Sequence, residues 1–457
     1  MVGGIALALQ EMGVKVSGSD DTQFPPMPAV LREAGIDVNP AWSSEHVPAD
    51  TDAVITGSLV FRWNPELEAA LHRGIPVWNS TAFLERYFLQ ASENFVITGT
   101  KGKTTTTAML AWILERAGKS PGFLIGGQIR DPAWPRVRLQ SASPMVLEGD
   151  EYRCGYGDPL PKFHRYHARH LLITNVGHDH PEVFPTPLLY RDAFLHLVCS
   201  LPREATLTIN ADDPTALWLG RLTPTPVQSV GFSRRADFRI TGFRESSQRS
   251  SFRLRKTAFR LTVPGRMNVL NAGLAAVMAG AAGVSLEEAA LGLRCFPGVE
   301  GRLEKITTVG RTVIYTDEAY LPMAIAPLLQ SLRKRHPGRR IVFLFEPRHT
   351  GGRNGVCQKE LPGCLAAADV VLMGPPTEIT VYEQPFDQRL LCRELKRAGV
   401  EAVALKDLED LDHVTAQALR HCRDGDILLG SFSLNRTGLL SQLITVLQTA
   451  LKLRGNA

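Results

Sequence analysis

The stretch GTKGKTTT, Gly99 to Thr106, comes directly after the apolar run FVIT and leads into TTTAMLAWILERAG. This order, strand then glycine turn then helix, leaves few folds open. Glycines in the turn let backbone N–H groups reach phosphate oxygens, and the following helix N-terminus adds its positive dipole end. Lys103 brings a mobile positive charge for the outer phosphates, and the Thr104 hydroxyl can hold Mg²⁺. The alternative, a glycine turn with an incidental lysine, does not account for the strand and helix on either side.

The rest of the chain is read as three α/β blocks. The first runs from Met1 to about Gln90. Its short apolar runs VKVSGSD, DAVITGS and IPVWNS alternate with the helical stretches MPAVLREAG and NPELEAALHRG. Strands alternating with helices predict a parallel sheet, with ligands at the carboxyl ends of the strands. That edge would carry Ser17, Ser19, Asp20, Ser58 and Asn79. The second block, residues 91–297, holds the glycine–lysine loop and the strands LLITN and ATLTIN. Its segment from Gly231 to Val263 is rich in Arg, Ser, Phe and Thr and is expected to form antiparallel strands. The third block, residues 298–457, contains TVIYTDE, RIVFLFEP, DVVLMGP, EAVAL and DILLGSF as strands. The expected fold class is α/β with three domains, 1–90, 91–297 and 298–457: a Rossmann-like N-terminal domain, a central P-loop ATPase domain with a parallel sheet, and a C-terminal Rossmann-like domain.

Composition narrows the functional classes. With 457 residues, 44% hydrophobic and 21% charged, the chain has the balance of an ordinary globular protein. A net charge of +5 gives no electrostatic case for nucleic acid. Seven scattered cysteines without a C-x-x-C pair read as reduced thiols. The start, MVGGIALALQEMG, has neither a basic n-region nor a small-residue cleavage site, so no signal peptide is expected. The apolar run AGLAAVMAGAAGV, from Ala272, is too short to span a bilayer and is expected to be a core helix. A cytoplasmic enzyme without a membrane partner is the expectation.

VLEGDEY is a strand that runs into an acidic cluster, and Glu148, Asp150 and Glu151 are candidates to hold Mg²⁺ opposite the phosphate loop. In LLITNVGHDHPEVF, the residues Asn175, Asp179 and His180 follow another buried strand. A zinc site at His178, Asp179 and His180 is the rival reading, but no cysteine or regularly spaced histidine completes it. FHRYHARH, with His164, His167 and His170, is expected to be a surface strand or loop.

The loop spacing G-T-x-G-K-T is shorter than G-x-x-x-x-G-K-[ST], and it resembles that of the Mur ligases and folylpolyglutamate synthetases. Asn175, Asp179 and His180 resemble the N-x-x-x-D-H segment of the Mur ligases. PGRMNVLNAGLAA, from Pro264, resembles their G-x-x-N-x-x-N helix start, and NADDP (Asn210 to Pro214) a family turn. The resemblance implies ATP and Mg²⁺ as cofactors. It also implies an acyl phosphate formed on a carboxylate and then attacked by an amine. ATP would contact Gly99, Thr100, Lys101, Gly102, Lys103, Thr104 and Thr105. Asn268 and Asn271 would approach the adenine, though Asn268 could instead cap its helix. Arg302 in GRLE resembles the third-domain arginine that reaches the nucleotide, and Asp317 its partner acid. Catalysis would fall to Lys103, Glu148 and His180, and the metal to Thr104, Glu148 and His180.

SGSD, FPPM and NPELEAAL resemble the uridine-nucleotide domain, so Gly3, Gly4, Ser19, Asp20 and Ser58 would meet UDP-N-acetylmuramate. PGFLIGG and FEPR resemble the branch that attaches the recycled tripeptide L-alanyl-γ-D-glutamyl-meso-diaminopimelate. Arg348 would then bind the carboxylates of the peptide, whose fork geometry suits a guanidinium. The chain departs from the family pattern in three ways. Met1 stands almost at the glycines, so the first parallel strand is expected to be missing. The motif D-D-[YF]-A-H-[HN]-P reads TDEAYLP, with Tyr320 at the histidine. Two further family histidines read Met267 and Lys101. An L-alanine ligase, a diverged ligase with another substrate, and a non-catalytic nucleotide-binding homologue therefore stay open. A P-loop GTPase is disfavoured because no N-K-x-D is present.

Overall fold

The structure is a computed structural model that describes residues 1–21, 27–181, 183–246, 248–347, 357–376, 386–408, 410–431, 442–446 and 448–449. Arg348 and most of FPPM lie outside the described residues. The chain divides into two compact units. One comprises Met1–Asp179, Val183–Glu245 and Arg249–Val299; the other comprises Glu300–Ala457 with His180–Glu182 and Ser246–Gln248.

The first unit opens with helix Val2–Glu11. Four short strands follow: β1 (Gly18–Ser19), β2 (Val38–Asn39), β3 (Val54–Thr56) and β4 (Val77–Asn79). They are parallel, as the alternation of strands and helices predicts, but they form two separate pairs, β1–β2 and β3–β4, rather than one sheet. Among the described residues no strand lies hydrogen-bonded between the pairs, so two or three residues of pairing are all that each one has. Their cohesion comes from packing. Ile5, Leu7, Ala8, Leu31 and Ile36 share one buried cluster with Leu124, Val137, Leu139, Met145 and Leu147 of the central block.

That block is built on a ten-stranded sheet. Its members are β5 (Glu93–Thr98), β6 (Gly122–Leu124), β7 (Val137–Arg138), β8 (Pro144–Gly149), β11 (His170–Ile173), β12 (Thr206–Asn210), β13 (Val227–Gly231), β14 (Phe238–Glu245), β15 (Ser250–Leu254) and β16 (Thr257–Leu261). The order is β16-β15-β14-β13-β12-β11-β5-β8-β6-β7. The last three strands before Val263, β14, β15 and β16, are antiparallel to one another, as expected from composition. The hairpin β9 (Arg153–Gly155) and β10 (Asp158–Pro161) stands apart from this sheet.

Successive side chains of a strand point to opposite faces, and the core splits accordingly. Phe95, Ile97, Val146 and Leu172 join the cluster of helices Lys103–Arg116 and Arg266–Ala279. Val96, Met145, Leu147, Leu171 and Ile173 join the cluster on the other face. Strands covered on both faces read as continuous apolar runs, which is why FVIT and LLIT show no alternation. The run after Ala272 is indeed a core helix, with Ala272 to Ala279 buried. No described helix is long and apolar enough to cross a membrane.

The second unit holds a six-stranded sheet ordered β17-β18-β22-β19-β20-β21. The five strands expected from sequence are β18 (Thr312–Thr316), β19 (Ile341–Phe345), β20 (Val370–Met373), β21 (Glu401–Ala404) and β22 (Ile427–Ser431). All neighbouring pairs among them are parallel. The sixth strand, β17 (Glu304–Val309), pairs antiparallel with β18 through the turn at Gly310. EKITTV is polar and little buried, so it gives no strong signal in sequence.

Candidate active site

β11, β5 and β8 are adjacent, parallel and aligned, with Ile173 opposite Thr98 and Thr98 opposite Gly149. The loops leaving their carboxyl ends therefore start at one level. These three loops carry Gly99–Gly102, Asp150 with Glu151, and Asn175–His180, while Glu148 stands near the end of β8 itself. Strand geometry alone brings the sequence motifs together.

The phosphate loop is held in shape by its neighbours. Gly99 has φ +123°, and a Cβ there would collide with the Thr174 side chain and the Asn175 backbone. Gly102 has φ +86°, left-handed, and a Cβ there would lie 2.7 Å from Asn271 Oδ1. Both positions demand glycine. Asn175 accepts from the Lys101 N–H at 3.0 Å and donates to the Lys101 carbonyl at 2.7 Å, and its own carbonyl accepts from the Thr100 N–H at 3.0 Å. The Thr100 hydroxyl donates to the Gly177 carbonyl at 2.6 Å.

The three acids of EGDE have three different partners. β8 alternation puts Glu148 on the same face as Val146, the face of helix Lys103–Arg116. There its carboxylate accepts from the Thr104 hydroxyl at 2.9 Å and from the Gly126 N–H at 2.6 Å. Gly126 belongs to PGFLIGG, and a Cβ on it would come 2.7 Å from Glu148 Oε2. Asp150 instead binds the Lys162 ammonium at 2.6 Å. Burial works to raise this carboxyl, but the lysine charge overrides it and holds it down to about 2. Glu151 is fully buried and accepts from both Lys103 Nζ, at 2.8 and 2.9 Å, and Tyr190 OH, at 2.9 Å. Lys103 also donates to the Gly99 carbonyl at 2.7 Å. Burial pulls the Lys103 ammonium down, yet the Glu151 carboxylate outweighs it, and the lysine sits above its ordinary value. Glu148 thus sets its carboxylate beside the Thr104 hydroxyl at the start of the helix that follows the phosphate loop. Such a set of oxygen donors suits a hard divalent cation.

Asp179 is buried, with its carboxylate 3.7 Å from Lys101 Nζ. His180 is buried in the loop after β11, with φ +53°. The His178 ring faces the Phe184 carbonyl at 2.7 Å. Among the described residues no three His, Cys, Asp or Glu side chains are grouped to hold a metal, so the zinc reading finds no support. Asn268 does not cap its helix; Gly265 takes that position, and the Asn268 amide donates to the Pro264 carbonyl at 2.9 Å. Asn271 is the buried partner of Gly102. Thr105 is buried in the first turn of its helix. In the second unit, Arg302 pairs with Glu318 at 3.1 Å. Asp317 accepts from the Leu303 and Ala319 N–H groups at 2.6 and 2.8 Å, and burial raises its carboxyl against the opposing charge of Arg302.

Gly3 and Gly4 lie in the first turn of helix Val2–Glu11, and a Cβ on Gly3 would come 2.7 Å from Met27 Cγ. Asn79 caps helix Ser80–Leu84, accepting from the Ala82 N–H at 2.8 Å, and donates to the Tyr156 carbonyl at 3.3 Å. Ser19 receives the Asn39 amide at 3.4 Å, Asp20 is exposed, and Ser58 follows β3 with part of its surface open. FHRYHARH, expected as a surface strand or loop, is a 3₁₀ turn (Lys162–Arg165) and loop up to the strand that starts at His170, with His167 and Arg169 exposed but Phe163, Tyr166 and His170 buried. Burial pushes His164 down to about 4. Sequence reasoning missed Tyr190 and Lys162. Each serves an acid distant in the chain, and only PTPLLY, a proline-led helix start, hinted at the element carrying Tyr190.

The chain matches three family models: the Mur ligase family catalytic domain over residues 1–91, the Mur ligase middle domain over 97–279, and the Mur ligase glutamate ligase domain over 301–431. With the phosphate loop and its acids in this arrangement, the chain belongs to the Mur ligases, ATP-dependent ligases that form a C–N bond. Among its relatives is the UDP-N-acetylmuramate–L-alanyl-γ-D-glutamyl-meso-2,6-diaminoheptandioate ligase of Haemophilus influenzae, 31% identical over 83% of this chain and 84% of that one. The UDP-N-acetylmuramate–L-alanine ligase of Acidovorax is 30% identical over 97% of this chain and 94% of its own length. The solved UDP-N-acetylmuramate–alanine ligase of Thermotoga maritima shares the fold at a TM-score of 0.77 and 24% identity, covering 98% of this chain and 97% of that one.

Proposed function

We propose that this chain joins the lactyl carboxylate of UDP-N-acetylmuramate to the amine of L-alanyl-γ-D-glutamyl-meso-diaminopimelate, using ATP and Mg²⁺, in the cytoplasm. The observation that carries the reading is the Thr104 hydroxyl 2.9 Å from the Glu148 carboxylate, beside a lysine-bearing phosphate loop. The relative from Haemophilus influenzae supports the choice of substrates. The domain limits are proposed at 90/91 and 297/298.

In this reading the N–H groups of Gly99 to Thr105 cradle the ATP phosphates, and the Lys103 ammonium neutralises charge on the transferring γ-phosphoryl. Thr104, Glu148 and His180 are the residues that would hold magnesium, which would supply charge neutralisation for the phosphoryl transfer. The lactyl carboxylate oxygen attacks the γ-phosphorus and ADP leaves, giving an acyl phosphate. The incoming amine attacks the acyl carbon, inorganic phosphate leaves, and the amine proton passes to solvent. The chain's own contribution is positioning and electrostatics rather than covalent chemistry. The N-terminal residues Gly3, Gly4, Ser19, Asp20 and Ser58 are proposed to line the UDP-sugar site, and Arg348 to meet the peptide carboxylates.

The test combines protein, ATP, Mg²⁺ and UDP-N-acetylmuramate with either the tripeptide or L-alanine, and measures phosphate release and product mass. Turnover with the tripeptide supports the proposal. Turnover with L-alanine alone assigns the chain to the other substrate, and no turnover with any amine despite ATP binding would refute the enzymatic reading.

A further inference from the structure

Lys103 of the phosphate loop is already engaged. Its ammonium is clasped by both oxygens of Glu151, at 2.8 and 2.9 Å, and by the Gly99 carbonyl at 2.7 Å. Glu151 is fully buried, and its hold on the lysine is braced from behind. Tyr190 OH donates to Glu151 Oε1 at 2.9 Å and stands 3.0 Å from the Thr100 hydroxyl, which is itself fixed to the Gly177 carbonyl. Tyr190 is also buried and is held edge-on by Phe184 and in a tilted ring contact by Phe194. A carboxylate so placed cannot swing away to follow a departing lysine.

Glu151 is not needed to shape the loop. That is done by Asn175, Thr174 and Asn271 through backbone contacts and glycine packing. Nor does it share the Thr104 hydroxyl, which goes to Glu148. Its contact with the loop is with the one group that must reach the outer phosphates. A nucleotide and Glu151 therefore compete for a single ammonium, and the fraction of molecules with the lysine released scales the apparent nucleotide affinity.

We infer that Glu151, braced by Tyr190, is a positioning residue that parks Lys103 between turnovers and draws it back off the spent nucleotide, so that ADP leaves faster. The inference rests on the proposed reading that this loop takes ATP. Its cost is weaker ATP binding; its benefit is product release.

The experiment compares wild type with Glu151→Gln, which keeps the side-chain shape and removes the charge. Binding of ADP and of a non-hydrolysable ATP analogue is measured by calorimetry. KM for ATP and kcat are measured with the ligase substrates, together with the ADP dissociation rate. Expected for Glu151→Gln are nucleotide affinities about five- to tenfold tighter, a lower KM for ATP, and a kcat reduced in step with a slower ADP dissociation. Glu151→Asp, which keeps the charge but withdraws it by one methylene, should show a smaller shift in the same direction, and it serves if the glutamine variant does not fold. A weaker or unchanged nucleotide affinity in the variants would overturn the inference while leaving the ATP reading intact. Failure of wild type to bind either nucleotide would instead overturn the ATP reading, and the inference with it. As a direct readout, Lys103 acylation in nucleotide-free protein should be slow in wild type and faster in Glu151→Gln; equal rates would show that the lysine is not parked.

Discussion

Removing Lys103 should cost stability as well as activity. The pair it makes with Glu151 is buried, with the lysine side chain 14% exposed and the glutamate 0%. Deleting one partner of such a pair leaves the other charge desolvated and alone, a loss of about 3–5 kcal/mol. The Tyr190 hydroxyl still donates to Glu151 in the variant, which puts Lys103→Ala near the lower end, about 3 kcal/mol. For the roughly 290-residue first unit that corresponds to a fall in Tm of about 5 °C. Replacing both partners, as in Lys103→Met with Glu151→Leu, removes the stranded charge and should recover most of that loss. What remains is the hydrogen bond from Tyr190 to Glu151, about 1 kcal/mol, with the Tyr190 hydroxyl still 3.0 Å from that of Thr100. Turnover should be absent from both proteins. The assay is thermal and urea denaturation followed by circular dichroism on wild type, each single variant and the double. A Lys103→Ala protein melting within about 2 °C of wild type would refute the reasoning, and so would a double variant no more stable than the single.

Further outcomes follow from the same contacts. Gly102→Ala should raise the KM for ATP by roughly tenfold, because a left-handed non-glycine residue costs about 1–2 kcal/mol and its Cβ would displace Asn271; an unchanged KM would count against the loop geometry. Glu148→Gln should shift the Mg²⁺ concentration for half-maximal turnover upward by about tenfold or more, read from a magnesium titration at saturating ATP. The Asp150 carboxyl is held below its ordinary 3.8, at about 2, so its stabilising effect is present above pH 3.8 and lost as pH falls toward 2. Lys162→Met should therefore lower stability at neutral pH and flatten the acid dependence of the urea midpoint in that window; parallel profiles would contradict it. His164 should titrate near pH 4 by proton NMR, because burial disfavours its charged form.

The sequence makes the central architecture readable because its rules are local. FVIT, VLEG and LLIT are runs buried on both faces, and each ends in a loop whose residues carry charge or small polar groups. Parallel pairing then does the assembly. The roles of the individual acids are not local. Glu148, Asp150 and Glu151 look equivalent in EGDE, and what separates them is Thr104, Lys162 and the pair Lys103 and Tyr190. Of these partners, Lys162 and Tyr190 come from segments with no motif. The two glycines near Met1 stand in the first turn of a helix, where Met27 packs against Gly3. β17 went unseen because its residues are little buried and so carry no apolar signature.

The two short strand pairs of the N-terminal block bear on how the molecule comes apart. Two or three residues of parallel pairing cannot hold a sheet together alone. The apolar side chains of helix Val2–Glu11 lie in the same cluster as β6, β7 and β8, so the block borrows its folding free energy from the central sheet. Hydrogen exchange should show its amides opening at a lower free energy than those of β5 or β11, as an outer foldon on a rigid base. A fragment ending near Gln90 should not fold in isolation. The coupling also runs the other way: a ligand gripping the N-terminal block would tighten the lining of β8, and its binding would register as slower exchange next to Glu148.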